Sequence, residues 1–168
     1  MTILAPMRPE AYDAYLEQAI AGYAHDNVAA GRWPQASALE RSRADFAQSL
    51  PQGLATPDNY LFEIKTDKTG PVVGVIWFAV TEQNGMPVAF VYDVEIKPEW
   101  QRQGHAMRAF KALEPLVKEL GLSRIGLHVF ANNPGAQALY ARLGYDVVSL
   151  NMAKQLGETA TPQSSKLV

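Results

Sequence analysis

The residues with the clearest chemical potential lie in a short turn between an apolar run and a helical pattern. This turn, residues 97–106, contains Arg102, Gly104 and Ala106. Gly104 and Ala106 keep side chains out of the turn, so a ligand can approach the backbone closely. A helix start collects unsatisfied N–H groups and about half a positive charge at one point. The turn therefore predicts a phosphate-binding site, although a single small-residue turn is also typical of an ordinary helix start.

Two carboxylates precede the turn. Asp93 and Glu95 lie two residues apart in the run 88–96, whose alternation predicts a strand, so both should point to the same face. A buried carboxylate without water or a partner is costly, and such groups persist where they face a wet cleft or take part in chemistry. Either residue could accept a proton from an amine, or could simply hydrogen-bond a neighbour. The sequence supports the two interpretations equally, and His128 is a third candidate base.

The elements that must position these residues follow from periodicity and turn signals. Ser37 and Glu40 form a capping box for the second helix, and Pro115 predicts a kink or an interruption in the third. The strands around Asp93 and His128 are connected through a helix, so they should be parallel. The fold class is therefore α/β, or α+β with a mixed sheet. The predicted strands are 2–7, 59–66, 71–80, 88–96, 123–130 and 145–153, and the predicted helices are 9–30, 38–49, 107–120 and 133–143.

Composition limits the function classes. A chain of 168 residues predicts one domain, over residues 1–156, with a flexible tail at 157–168. The net charge of −2 gives no basic field for nucleic acid. The absence of cysteine excludes disulfides, thiolate metal sites and a cysteine nucleophile. We expect no metal, no membrane span, no signal peptide and a cytoplasmic location.

Two sequence blocks resemble the GNAT superfamily of N-acetyltransferases. Residues 94–106 resemble its acetyl-CoA loop, Gln/Arg-x-x-Gly-x-Gly/Ala, which is met by Gln101, Gly104 and Ala106. Residues 127–145 resemble the second family motif. The matching residues, in order, are Asn133, Ala136, Leu139, Tyr140, Gly144 and Tyr145. Both blocks occur in the right order, and the close resemblance covers residues 88–153, whereas the first half resembles the family only in its element order.

The resemblance implies a single GNAT-like domain with a central mixed sheet, flanking helices and a splayed parallel strand pair. It also implies acetyl transfer from acetyl-CoA to a primary amine by direct attack. Tyr140 would donate a proton or a hydrogen bond to the departing thiolate, and Glu95 or Asp93 would be the base. The residues implied to bind the coenzyme are Val94, Glu95, Ile96, Gln101, Arg102, Gln103, Gly104, His105, Ala106, Asn133 and Tyr140.

Several points stay open. Asn133 before Pro134 is also an excellent helix N-cap, and Tyr140 could be a core aromatic. His105 is expected to be exposed, and Arg108 to be solvated. The acceptor is a small-molecule, peptide or protein amine, contacted by the first half around Tyr23, Arg32, Trp33 and residues 50–56. The sequence leaves open whether the protein forms a homodimer. The alternative function is a non-catalytic (acyl-)CoA-binding sensor or interaction domain.

Overall fold

The fold is a mixed sheet flanked by helices, as predicted. The computed structural model describes residues 1–154, 156 and 157, so the predicted tail lies outside the described residues except for Gly157. The elements are β1 (Ile3–Pro6), α1 (Pro9–Ala29), α2 (Ala38–Ser49), β2 (Asn59–Lys65), β3 (Val72–Gln83), β4 (Met86–Ile96), α3 (His105–Glu119), β5 (Ile125–Leu127) and α4 (Pro134–Arg142).

The sheet has the strand order β1-β2-β3-β4-β5. The first four strands are antiparallel neighbours, and β5 joins β4 in parallel, as the helical connection predicted. A tight hairpin joins β3 to β4 through Asn84 and Gly85, whose φ angles of 52° and 78° lie in the left-handed region. That conformation suits the right-handed twist of paired strands, which explains why an Asn-Gly pair occurs here.

Each face of the sheet carries its own core. On one face, Phe110 and Leu113 of α3 pack with Ile76 and Phe78, and all four are fully or almost fully buried. On the other face, α1 and α2 cover Trp77 with a second cluster that includes Tyr15 and Phe46. Because neighbouring residues on a strand alternate between faces, Ile76 and Trp77 belong to different cores. The sheet is thus fixed from both sides.

A β-bulge interrupts β4 just before its carboxylates. Trp77 is paired with Asp93, but the next residue, Phe78, is paired with Val91, so Tyr92 is the extra residue. A bulge lets two residues on one strand oppose one on its partner. Tyr92 stacks on Trp77 with ring centroids 4.8 Å apart, so the face that carries Asp93 is the face covered by α1.

Pro115 was predicted to kink or interrupt the third helix, and the interruption was wrong. Helix α3 runs from His105 to Glu119 through Pro115. Pro115 and Lys111 are exposed, whereas Leu113 and Val117 are buried. The carbonyl of Lys111, which loses its hydrogen bond to the residue-115 nitrogen, lies on the solvent side where water can satisfy it. Packing of the opposite face holds the helix together.

The capping box was also wrong, although α2 begins where it was predicted. The Ser37 side chain makes no cap bond; its Oγ accepts from Arg41 Nε at 3.1 Å. A 3₁₀ turn, Gln35–Ser37, leads directly into α2, and the amide of Ala38 donates to the Gln35 carbonyl. The preceding turn therefore supplies an acceptor for one amide at the start of α2, that of Ala38, whereas the expected side-chain cap would have accepted from the amide of Glu40.

The last two predicted strands differ from the structure. The strand predicted at 123–130 is reduced to Ile125–Leu127. Residues 145–153 form no strand, and the side chains of Val148, Leu150 and Met152 are 77%, 77% and 92% exposed. Alternating polar and apolar residues satisfy one requirement of a strand, but a strand also needs a partner edge for its backbone. Among the described residues, this segment pairs with no strand, the outer edge of β5 included.

Candidate active site

A gap opens between β4 and β5 immediately after the bulge. The two strands pair only from Ala89 with Ile125 to Val91 with Leu127. Strand β4 continues to Ile96, but beyond Val91 it pairs with β3 alone. Its other edge therefore presents backbone groups to the gap, and a ligand that enters there can hydrogen-bond to a rigid strand. This is the predicted splayed strand pair.

The two carboxylates lie on the same face, as predicted, and α1 contacts both. Tyr15 Oη donates to Asp93 Oδ2 at 3.0 Å, and Gln18 Nε2 donates to Glu95 Oε1 at 2.6 Å. Residues three apart on a helix lie on one side, which matches two residues on one strand face. Sequence reasoning missed Tyr15 and Gln18 as site residues. The sole signal was the helical spacing of Tyr15, which predicts only that it faces the protein interior.

Burial sets the acidity of Asp93. Removal from water raises the pKa of the Asp93 carboxyl to about 6, and the nearby Glu95 charge adds to the rise. The hydrogen bond from Tyr15 acts in the opposite direction because it stabilises the charged form. A carboxylate with this pKa is still ionised at neutral pH and binds a proton more strongly than an ordinary aspartate. That is the behaviour needed for proton abstraction near pH 7.

Tyr140 is half-buried on α4 and faces the same region. Its ring packs edge-on against Phe110, with centroids 5.4 Å apart, and lies 5.8 Å from the ring of Tyr145. Burial raises the pKa of the Tyr140 phenol, and the charge of Asp93 raises it further. The phenol is therefore protonated at neutral pH and near enough to Asp93 to feel its charge. Tyr140 is both a packed aromatic and a candidate donor.

The residue that begins α4 acts as a cap. Asn133 Oδ1 accepts from the Ala136 amide at 3.1 Å, and Pro134 occupies the first helical position. This is the capping interpretation of the Asn-Pro pair, and it fixes the direction in which α4 leaves the end of β5. A ligand contact by Asn133 stays a prediction.

The turn at residues 101–106 presents free amides. Gly104 is the N-cap of α3 with a φ of 79°, and Arg102 also has a positive φ, 61°. The amide of Arg108 donates to the Gly104 carbonyl, so the amides of residues 105–107 precede that helical bond. A non-glycine residue at positive φ costs about 1–3 kcal/mol and is typical of binding turns. These features suit an anion at the start of α3.

Side chains in and beside the turn donate hydrogen bonds to backbone carbonyl oxygens that would otherwise repel an anion. Gln101 Nε2 donates to the Ile96 carbonyl at 2.9 Å, and Gln103 Nε2 donates to the Glu99 carbonyl at 3.0 Å. Arg108 Nη2 donates to the Gln103 carbonyl at 2.9 Å. Each bond orients one peptide unit and offsets the negative end of its dipole. Three carbonyl oxygens in and beside the turn are therefore already hydrogen-bonded to donors.

His105 is buried, so the expectation that it would be exposed was wrong. It is 7% exposed, and its ring lies edge-on to Trp100 with centroids 5.7 Å apart. Its Nδ1 lies 3.2 Å from Thr2 Oγ1, and Arg108 Nε donates to the same hydroxyl at 2.8 Å. Burial lowers the pKa of His105, and the Arg108 charge lowers it further. Arg108 was predicted to be solvated, but it joins the N-terminal residues to the turn.

Three of the residues predicted to contact an acceptor, Tyr23, Arg32 and Trp33, lie near the end of α1, where Tyr23 also packs on Phe46. Tyr23 lies edge-on to Trp33 at 5.2 Å, and the Arg32 guanidinium lies 5.5 Å from the Phe130 ring centroid. His128 contacts Phe130, with ring centroids 5.0 Å apart. Burial and the Arg32 charge lower the pKa of His128. The loop after α1 and the chain after β5 therefore meet through Arg32 and Phe130, while the carboxylates are held by the middle of α1.

The searches for metal sites and membrane spans concern the described residues. Over residues 1–154, 156 and 157, no three histidine, cysteine, aspartate or glutamate side chains are grouped as a metal site would require. Within the same residues, no helix combines the length and apolar character needed to cross a membrane.

Comparisons with known proteins place the chain among acetyltransferases. The sequence model described as the Acetyltransferase (GNAT) family matches residues 10–145. The uncharacterized N-acetyltransferase YycN of Bacillus subtilis is 33% identical over 157 residues, which cover 93% of this chain and 100% of that protein. The crystal structure of YycN superposes with a TM-score of 0.88 at 32% identity, covering 94% of this chain and 100% of that chain.

The names of two further matches include a small molecule. A mycothiol acetyltransferase of Pseudarthrobacter chlorophenolicus is 31% identical over 135 residues, which cover 79% of this chain but 38% of that protein. The structure of AAC(6')-Iy in complex with the bisubstrate analog CoA-S-monomethyl-acetylneamine has a TM-score of 0.61 at 15% identity. It covers 92% of this chain and 97% of that one, and shows a shared fold.

The raised pKa of Asp93 predicts a gain of stability when the charge is removed. Between the ordinary value of 3.8 and about 6, the folded state holds a proton that the unfolded state has lost. Stability therefore falls as pH rises through this window and stays lower above it. Asp93→Asn should raise the free energy of unfolding at pH 7.5 by about 1–3 kcal/mol and have little effect at pH 3.5. Urea denaturation at both pH values measures the difference.

Asp67 supplies a control of opposite sign. The amides of Thr69 and Gly70 lower the pKa of this exposed carboxyl, so its charge stabilises the fold above the ordinary pKa. Asp67→Asn should therefore lose stability at pH 7.5. An Asp93→Asn protein that is less stable than wild type at pH 7.5 would mean that the Asp93 carboxylate is not penalised by burial.

Proposed function

The chain belongs to the acetyltransferase (GNAT) family, and from that premise we propose that it transfers an acetyl group from acetyl-CoA to a primary amine by direct attack. The observation that supports this best is what burial does to two titratable groups, Asp93 on β4 and Tyr140 on α4. Asp93 has a pKa near that of a neutral-pH base, and Tyr140, close enough to feel its charge, keeps its proton. A base and an acid on either side of one opening are what an acyl transfer to an amine requires.

The coenzyme would be bound by the turn and by the open edge of β4. The free amides of residues 103–106 and the cation of Arg102 suit a pyrophosphate, with Gln101 fixing the turn to the strand end. The backbone of residues 94–96 suits the amide groups of the pantetheine arm, since this edge pairs with no other strand of the described sheet. Asn133, the N-cap of α4, and Tyr140 on the same helix are the further proposed contacts of the coenzyme. The substrate thioester supplies an activated acetyl group.

The proposed reaction moves one acetyl group and three protons. A lysine-like ammonium has a pKa near 10.4 and an α-amino group one near 8, so the amine must first lose a proton. Asp93, with Glu95 as the alternative, accepts it directly or through water. The amine nitrogen then bonds to the carbonyl carbon and gives up a second proton to water, and the carbon–sulfur bond breaks. The thiolate takes a proton from Tyr140 Oη, which is later restored from solvent. No cysteine is present to carry an acyl-enzyme.

Amine-dependent release of free thiol from acetyl-CoA tests the proposal. The panel should include diamines, amino sugars, free amino acids and peptides with free N-termini, because the acceptor class is not fixed by the site. We expect at least one amine to accelerate thiol release well above the rate with buffer alone. Coenzyme binding without any amine-dependent release would instead favour the non-catalytic sensor.

The turn at Gly104 gives a prediction for coenzyme binding. A Cβ at Gly104 would lie 2.8 Å from Arg108 Nη1 and inside the proposed phosphate site, at a φ of +79°. Acetyl-CoA should raise the melting temperature of the wild type, since a ligand that binds only the native state stabilises it. Gly104→Val should lose that shift.

Gly85 provides the matched control because its φ is +78° and nothing lies within 4 Å of a Cβ there. Gly85→Val should carry a similar backbone strain, about 1–2 kcal/mol, but keep the full shift with acetyl-CoA. Equal shifts in both variants would refute the assignment of the turn.

The pH–rate profile identifies the base. If Asp93 accepts the proton, the acid limb of kcat should rise near pH 6, and Asp93→Asn should remove that limb with a fall in kcat of about 10²–10⁴-fold. Glu95→Gln should move the limb to lower pH, because the Glu95 charge raises the pKa of Asp93. Tyr15→Phe should move it to higher pH, because its hydrogen bond lowers that pKa.

Opposite shifts of the acid limb in Glu95→Gln and Tyr15→Phe would show that Asp93 itself accepts the proton. A purely structural role of these residues would not move the limb in opposite directions. Loss of the limb in Glu95→Gln, with the limb intact in Asp93→Asn, would assign the base to Glu95. An unchanged limb in both variants would assign it to His128 or to solvent.

Tyr140→Phe tests the acid. It keeps the packing against Phe110 and removes only the hydroxyl, so coenzyme affinity and melting temperature should stay close to wild type. A proton donated only as the thiolate leaves should appear in kcat, which we expect to fall at least about tenfold. Tyr145→Phe is the matched control, since Tyr145 packs on the same Phe110 ring. Wild-type turnover in Tyr140→Phe would leave the residue as a packed aromatic alone.

A further inference from the structure

The side chain of Thr2 reaches the turn that precedes α3. Thr2 lies just before β1, which is an edge strand of the sheet, and it is only 8% exposed. Its Oγ1 accepts a hydrogen bond from Arg108 Nε at 2.8 Å and lies 3.2 Å from His105 Nδ1. Thr2 and Arg108 are 106 residues apart in the sequence, so this hydroxyl connects one edge of the sheet to the start of a distant helix.

The partners of the Thr2 hydroxyl determine where its proton points. Because Oγ1 accepts from Arg108 Nε, its own hydrogen is available to His105 Nδ1. Arg108 Nη2 also lies 3.2 Å from His105 Nδ1, and a guanidinium nitrogen can only donate. The His105 Nδ1 is therefore an unprotonated acceptor, and the neutral ring carries its hydrogen on Nε2. Burial and the Arg108 charge lower the pKa of His105, which favours the same neutral form.

The three nitrogens of the Arg108 guanidinium have different surroundings. Nε donates to Thr2, and Nη2 donates to the Gln103 carbonyl at 2.9 Å. Nη1 makes no hydrogen bond to a described residue, and it lies 2.8 Å from the point that a Cβ on Gly104 would occupy. Gly104 is the N-cap of α3, and the free amides follow it. The guanidinium therefore directs its unpaired N–H groups toward the open side of Gly104, where an anion would bind.

We propose that Thr2 is a positioning residue for the coenzyme, because it holds Arg108 in the orientation in which Nη1 donates to the pyrophosphate at Gly104. This inference rests on the proposed function, since it concerns the same coenzyme site. An arginine side chain loses rotamer freedom when it binds a ligand, and less is lost when the protein already holds the side chain. Gln103 belongs to the turn itself, so Thr2 supplies the hydrogen bond that fixes the guanidinium from outside the turn.

Attachment of β1 to the protein does not explain this arrangement. Leu4 of β1 already packs against the core that contains Phe110 and Leu113 of α3, so the strand is held without the Thr2 hydroxyl. Arg108 is half-buried, and within the described part of the chain no carboxylate forms an ion pair with it. A fixed cation beside free amides, with no carboxylate to neutralise it, is suited to an anionic ligand.

Calorimetric titration with coenzyme A tests the positioning role. Thr2→Val keeps the shape of the side chain and removes the hydroxyl, and it should weaken coenzyme A binding about three- to tenfold, because Arg108 must then be ordered on binding. Thr2→Ser restores the hydroxyl and should bind within about twofold of the wild type. Thr81→Val is the matched control, since the buried Thr81 hydroxyl has no hydrogen-bond partner among the described residues. It should leave the affinity unchanged.

The outcomes separate this inference from the proposed function. A wild type that binds coenzyme A, with Thr2→Val binding it equally tightly, would overturn the role of Thr2 and leave the proposed function standing. A wild type that does not bind coenzyme A would overturn both. Dephospho-coenzyme A keeps the pyrophosphate and lacks the 3′-phosphate, so Thr2→Val should weaken its binding by the same factor. A loss confined to coenzyme A would overturn the assignment of Arg108 to the pyrophosphate.

A double-mutant cycle with Arg108→Lys shows whether Thr2 acts through Arg108. Lysine keeps the charge but lacks the planar group that donates to Thr2, to the Gln103 carbonyl and to a phosphate at once. In the Arg108→Lys background, Thr2→Val should reduce coenzyme A affinity by less than about twofold. An equal loss in both backgrounds would show that Thr2 affects the site by another route, and the proposal would be wrong.

Arginine side-chain signals give a readout without coenzyme. In ¹H–¹⁵N spectra of the unliganded protein, the Nε–H of Arg108 should exchange slowly with water in the wild type and in Thr2→Ser, because the hydroxyl accepts its hydrogen bond. The exchange should be markedly faster in Thr2→Val and unchanged in Thr81→Val. Slow exchange that persists in Thr2→Val would mean that the hydroxyl does not hold the guanidinium, which would overturn the proposal.

Discussion

The site depends on one constraint, which is that β4 has two strand neighbours only as far as Val91. From Ala89 to Val91 its backbone pairs with both β3 and β5, and beyond Val91, among the described strands, with β3 alone. The bulge at Tyr92 lies at this boundary and changes the twist of β4 just where β5 leaves it. The backbone of residues 93–96 is thus rigid on one edge and free on the other. A ligand can replace the missing strand without any rearrangement of the sheet.

The bulge also explains why the acidic face is covered by α1. Tyr92 and Asp93 both lie toward α1, where Tyr92 stacks on Trp77 and Asp93 accepts from Tyr15. Trp77 is almost fully buried in the core beneath α1 and α2 and donates to Asn59 Oδ1 at 2.9 Å. The Asp93 carboxylate is therefore held, through Tyr15 and its neighbour Tyr92, against the well-packed core beneath α1 and α2. Its position is set by the helix and by the strand together, which limits the freedom of the reacting group.

Much of this arrangement could be predicted from local patterns, and the remainder depends on contacts distant in sequence. The Asn84-Gly85 hairpin, the parallel β4–β5 pair and the common face of Asp93 and Glu95 follow from turn chemistry and period-two alternation. The burial of His105 depends on Thr2, 103 residues away, which no local pattern can reveal. Pro115 interrupted nothing because the packing of the opposite helix face outweighs one lost hydrogen bond. The strand predicted at 145–153 does not form in the structure. The alternating pattern concerns only the side chains, whereas a strand also needs its backbone to pair with another strand.

The difference between the two carboxylates is a matter of environment rather than of spacing. Both accept one hydrogen bond from α1, but Asp93 accepts its bond from a buried tyrosine, and burial raises the pKa of Asp93 to about 6. A group that destabilises the folded state in this way is retained only if the surrounding packing exceeds its cost, and the two cores of the sheet provide that packing. Burial also keeps Tyr140 protonated while it raises the proton affinity of Asp93. Burial on the two faces of the sheet thus gives the aspartate the character of a base and the tyrosine the character of an acid, because desolvation disfavours the charged form of each.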